Sequence, residues 1–134
     1  MMPMAFSELE LAALRAIFAE TPALAGALET QLRSSVVIRR ENSGAGFFTT
    51  IAVVDHAPLV IAPPVLGDAT HARVDGLSQG LGLILHLKAG RMHELEGFCW
   101  GPDSTRDLDL TSSRFAIYHQ PAGSISPGNG VSRE

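Results

Sequence analysis

Apolar positions recur at helical spacing over the first thirty-odd residues, and from Ser35 onward the pattern changes to an alternation of period two. Leu11, Leu14, Ile17 and Phe18 fall on one stripe of a helix. Ser7 and Glu10 mark its start as a capping box. The Ser7 hydroxyl accepts from the Glu10 amide, and the Glu10 carboxylate reaches back to the Ser7 amide. Phe6 and Leu11 take the two positions of a hydrophobic staple. Glu20-Thr21-Pro22 closes this helix and opens another, with Thr21 as cap and Pro22 at the first helical position. Leu24, Leu28 and Leu32 then stack at intervals of four. Residues 7–33 are therefore predicted as two helices, or one kinked at Pro22.

Val36, Val37 and Ile38 begin a β-branched strand that Arg39-Arg40-Glu41 continue in polar form. Asn42-Ser43-Gly44 is turn chemistry, and Phe47–Val54 is a second strand. Leu59–Ala62 is at most a short edge segment, because Pro63-Pro64 cannot donate to a ladder. Leu66–Asp75 alternates up to the turn Gly76–Gly80. Leu81, Leu83, Leu85 and Leu87 alternate without a fault, which predicts a half-buried strand. Ala89-Gly90 reads as a two-residue hairpin loop from which Arg91–Trp100 returns. Arg114–Tyr118 is the last strand. The predicted fold class is α+β: two N-terminal helices packed on a mostly antiparallel sheet of about five to six strands. Residues 1–6 form an N-terminal extension, 7–119 a single domain, and 120–134, rich in Pro, Gly and Ser, a flexible tail.

The hairpin sets a register. With Ala89-Gly90 as the loop, Lys88 faces Arg91 and His86 faces His93. Leu81, Leu83, Leu85, Leu87, Met92 and Phe98 then share the helix-covered face with Glu94 and Glu96. Two carboxylates on an apolar face conflict with burial, since an unpaired buried carboxylate costs several kcal/mol. Either the hairpin outruns the helices, or a bulge near Gly97 flips part of the strand, or Glu94 and Glu96, with Trp100 close by, form a ligand site. If Asp75 pairs with Gly80, His71 lies on the same side as His86 and His93, and three imidazoles suit zinc or a similar ion. The alternative is a solvated or dimer-covered histidine face.

Composition narrows the classes. The 134 residues suit one domain, and 46% of them are apolar, enough for a sizeable core. Only 18% are charged, which points to a covered surface and makes a homodimer the first expectation, with a further protein partner next. Net charge −4 without a basic cluster argues against nucleic acid. The one cysteine, Cys99, allows no internal disulfide and no multi-thiolate zinc site, so the cytoplasm is the expected compartment. No signal peptide or bilayer-length apolar run is present, and no membrane is expected.

Other candidates are weaker. Cys99 as nucleophile needs a histidine and an oxyanion donor pair; core packing is the simpler account. Gly44-Ala45-Gly46 and Gly80-Leu81-Gly82 lead into strands, not helices, so they are turns and close approaches, not phosphate loops. Arg39 and Arg40 read as a solvated strand end. Phe47, Phe48, Phe98 and Trp100 are either core or the lining of a pocket.

Arg40–Thr49, Gly67-Asp68, Gly80-Leu81-Gly82 and Leu95–Gly101 resemble segments of a group of small bacterial proteins of unknown function, over about residues 7–118. The resemblance implies no activity, cofactor or catalytic residue. Small α+β proteins of this build include immunity proteins and antitoxins that bind one partner, a likeness at the level of fold alone. The expected function is non-enzymatic association, with a small-molecule or metal-binding domain, or an enzyme, built on the central hairpin as the alternative.

Overall fold

Each helix begins at its predicted cap. In the computed structural model, which describes residues 3–120, α1 spans Glu8–Ala19 and α2 spans Pro22–Arg33. The Glu10 amide donates to Ser7 Oγ at 3.2 Å and the Ser7 amide donates to Glu10 Oε1 at 2.8 Å, so the capping box is complete. Pro22 opens α2, although the Thr21 side chain makes no cap bond. The apolar stripes of both helices pack on one face of the sheet, where Leu14, Ile17 and Leu28 are fully buried with Leu81, Leu83, Leu85 and Leu95. No described helix is long and apolar enough to cross a membrane.

The sheet has seven antiparallel strands: β1 Ser35–Asn42, β2 Gly46–Val53, β3 Val65–Leu66, β4 Thr70–Val74, β5 Leu81–Lys88, β6 Arg91–Cys99 and β7 Phe115–His119. Their order is β1-β2-β6-β5-β4-β7, with β3 beside the other half of β5. The α+β class is as expected, and the strand count is one higher. The predicted strand 66–75 is interrupted at Gly67 (φ +110°), where a side chain would meet the Leu83 carbonyl, so Val65–Leu66 and Thr70–Val74 pair separately. Leu59–Ala62 is not a strand, yet it runs beside the hairpin tip: the Val60 amide donates to the Gly90 carbonyl at 3.0 Å and the Leu87 amide to the Pro64 carbonyl at 2.8 Å.

Within the N-terminal extension, Met4 bridges Val37 with bonds of 2.7 and 3.0 Å. One further expectation changes. Arg40 is not a solvated strand end. Its Nε and Nη2 donate to the two oxygens of Glu10, both at 2.8 Å, and Glu10 also accepts from Thr49 Oγ1 at 2.7 Å. One carboxylate thus caps α1 and ties it to β1 and β2. Burial pushes the Glu10 carboxyl up, but Arg40, the Ser7 amide and the Thr49 hydroxyl together hold it below the usual carboxylate range. The predicted tail from residue 121 lies outside the described residues.

Candidate functional site: the open face of the sheet

Because both helices lie on one side, the other face of the sheet has no layer over it among the described residues. What that face carries depends on the β5–β6 hairpin. Ala89 (φ +52°) and Gly90 (φ +79°) both take the left-handed conformation, the two-residue turn whose twist suits a hairpin. Lys88 faces Arg91 as predicted. The expected His86–His93 pairing does not form. The ladder shifts by one residue after Leu87–Met92, His93 is left over, and His86 faces Glu94. This bulge has a clear physical reason. An unbroken register would turn Glu94 and Glu96 into the apolar layer, whereas one extra residue puts Leu95 there, opposite Leu85, and sends both carboxylates to the open face. The conflict seen in the sequence is resolved three residues or more before Gly97.

Three rows cross the open face. The first follows the pairing Phe98–Gly82–His71–Tyr118 across β6, β5, β4 and β7. Phe98 lies over Gly82, where a β-carbon would come within 2.3 Å of the ring. Trp100 packs against Phe98 (centroids 5.1 Å apart) and His71 (5.8 Å), His71 stacks on Tyr118 (5.5 Å), and the Arg73 guanidinium lies 5.4 Å from the Tyr118 ring centre. Burial lowers the His71 pKa, which favours the neutral ring. The second row is Phe48–Glu96–Ile84, and the third is Thr50–Glu94–His86–Val65. Between them His86 Nε2 lies 2.9 Å from Glu96 Oε1.

Beyond Val65 the face continues as an exposed apolar stripe: Leu59, Ile61 and Val65 are 57%, 99% and 42% exposed, while Val60, Ala62 and Leu66 pack on the core. Gln31, fully buried on α2, holds this segment. Its Nε2 donates to the carbonyls of Pro58 (2.7 Å) and Gly90 (2.9 Å), and its Oε1 accepts from the Met92 amide (2.9 Å).

The predicted site residues are distributed as follows. Glu94, Glu96 and Trp100 share the open face, contrary to the covered position expected for the two carboxylates. Two contacts join predicted residues: Glu96 meets His86, and Trp100 packs against His71. Trp100 lies four residues along the strand from Glu96, about 13 Å at strand spacing. His71, His86 and His93 are not brought together. His71 pairs with Gly82, not with Ile84, because the β4–β5 register differs by two from the assumed one; that leaves it about 13 Å from His86. His93 is the exposed bulge residue. Among the described residues no three His, Cys, Asp or Glu side chains are grouped to hold a metal. Cys99 faces Leu81 in the covered layer, and burial raises its pKa, so the thiol stays protonated at neutral pH.

Sequence reasoning missed the aromatic row. A signal was present: Gly82 interrupts a leucine strand on its polar side, making room for a ring from the neighbouring strand. Phe48, Gly82, Glu96, Phe98 and Trp100 come from the segments 40–49, 80–82 and 95–101, which converge here. No family model matches the chain, and no curated protein or solved structure does so either.

Proposed function

We propose that this chain acts by protein association, as a homodimer first, through the helix-free face of its sheet. The observation that supports this most directly is the half-buried set Phe48, Ile84, Phe98, Trp100 and Tyr118, which no layer covers among the described residues. Apolar side chains set out in rows on a helix-free sheet face suit a covering partner. A second copy suits this face, because sheets stack face to face at about 10 Å, which gives a helix–sheet–sheet–helix sandwich. The charged fraction of 18% is consistent with a surface partly withdrawn from water.

Light scattering and sedimentation of the full chain test this. The expected mass is twice 14.2 kDa. Ile84→Lys places an ammonium in the middle row and is expected to yield a monomer with an unchanged far-UV spectrum. A wild-type protein that stays monomeric at high micromolar concentration rules the homodimer out.

A further inference from the structure

We infer that the cleft where β4, β7 and the 76–80 turn meet binds an oxyanion, a carboxylate or phosphate group carried by a polar small molecule. The cleft has a volume of about 630 Å³, and its lining includes Arg73, Arg114, Ala116, Tyr118, Ser78 and Gln79. The ladder explains its shape. Arg73 pairs with Ala116, and the Asp75 amide donates to the Arg114 carbonyl at 3.0 Å, so Arg114 faces Asp75. The two arginines are therefore diagonal neighbours on one face, about 7–8 Å apart at their α-carbons. Between them Ala116 contributes only a methyl group, leaving a floor open to a ligand.

The state of the guanidiniums carries the inference. Among the described residues Arg15, Arg33, Arg39 and Arg40 each meet a carboxylate, Arg91 donates to the Asp55 carbonyl, and the exposed Arg106 side chain stands apart from this cleft. Among the described residues the Arg73 guanidinium meets only the Tyr118 ring, and the Arg114 guanidinium has no polar partner. Arg73 and Arg114 are the two arginines that share one cleft among the described residues, and both guanidiniums are available there to a ligand's negative charge. Asp75 also lines the cleft but forms no ion pair with either arginine, so the three side chains leave a net positive charge. A guanidinium offers paired donors that match two oxygens of a carboxylate or phosphate. Contact with Tyr118 fixes the plane of Arg73 and leaves its N–H edges available. The cleft is formed within one protomer, at the β4–β7 edge of the open face.

Amide and arginine side-chain NMR titrations with inorganic phosphate and with acetate, at ionic strength matched by chloride, test the assignment. Saturable shifts confined to residues 73–80 and 114–118 are expected, with affinity falling at least tenfold in the Arg73→Gln/Arg114→Gln variant. The stronger of the two anions identifies the source of the group. Shifts that rise linearly and equal those in chloride overturn the inference, as does undiminished binding by a folded double variant. A far-UV spectrum and the dispersion of the amide resonances establish that the variant is folded.

Discussion

Replacing Arg40 with Met isolates what the Glu10 hub contributes. The Glu10 side chain is 4% exposed and that of Arg40 is 26% exposed. Loss of the guanidinium removes two 2.8 Å bonds and leaves the carboxylate with the Ser7 amide and the Thr49 hydroxyl as donors. Breaking a buried pair costs about 3–5 kcal/mol. With Arg40 partly in solvent and two donors remaining, the lower end applies, about 2–3 kcal/mol. That is a large share of the ~5–15 kcal/mol that stabilises a typical domain.

The pH dependence adds a check of sign. In the wild type the folded-state pKa of Glu10 is depressed, so its contribution is complete above the unfolded value near 4.3 and is lost as pH falls through the folded value. In Arg40→Met both contributions of Arg40 are lost while burial, the largest cause, stays, so the folded pKa rises from its wild-type position. Protonation then costs the variant less than the wild type, and its deficit narrows as pH falls. Urea unfolding followed by Trp100 fluorescence and far-UV dichroism measures both quantities. A deficit below about 1 kcal/mol at neutral pH, or one that does not change on acidification, refutes the proposed role of the pair. Removing both charges, as Glu10→Leu/Arg40→Met, is expected to recover most of the loss apart from the cap, about 1 kcal/mol.

Three other substitutions test separate joints. Gln31→Leu leaves the Pro58 carbonyl and the Met92 amide without partners, at about 1–3 kcal/mol for each buried group, while the Gly90 carbonyl keeps the Val60 amide; it should lower the denaturation midpoint and speed hydrogen exchange at Met92, and normal protection there argues against the hub. Ala89→Asn relieves a left-handed alanine in the hairpin turn and should stabilise by about 0.5–1 kcal/mol in thermal unfolding, whereas a loss of stability contradicts the turn assignment. Gly82→Ala puts a methyl group 2.3 Å from the Phe98 ring, so it should cost about 1–3 kcal/mol and change the Trp100 emission, and an unaltered spectrum means that the ring does not lie over Gly82.

The parts of this fold that could be read from the sequence are those decided within a few residues. Ser7 and Glu10 are three apart, the Ala89-Gly90 turn is contiguous, and leucines at every second position from 81 to 87 need only a covered face to explain them. The parts that could not be read depend on partners far along the chain. Arg40 finds Glu10 across 30 positions, and β7 pairs with β4 after a long crossing tied to the β1–β2 turn by buried Thr105, whose carbonyl accepts from Asn42 Nδ2 at 2.8 Å. Their local sequence is the same as that of a solvated strand end and a loop.

The bulge at His93 lies between these cases and has the greatest functional consequence. Alternation alone put Glu94 and Glu96 among the leucines, and the cost of burying two carboxylates was sufficient reason to expect a break in register. Locating it required the partner strand. Leu85 and Leu87 must both meet apolar neighbours, Leu95 and Met92, and those two lie an odd number of positions apart. A strand of period two cannot present both to one face without one extra residue between them. His93 is that residue. Its insertion sends both carboxylates to the open side, where Glu96 reaches His86 and the neighbouring Phe98 can lie over Gly82. The face on which association is proposed is therefore a consequence of core packing on the opposite side of the sheet: the leucines determine the register, and the register determines which groups remain exposed for a partner.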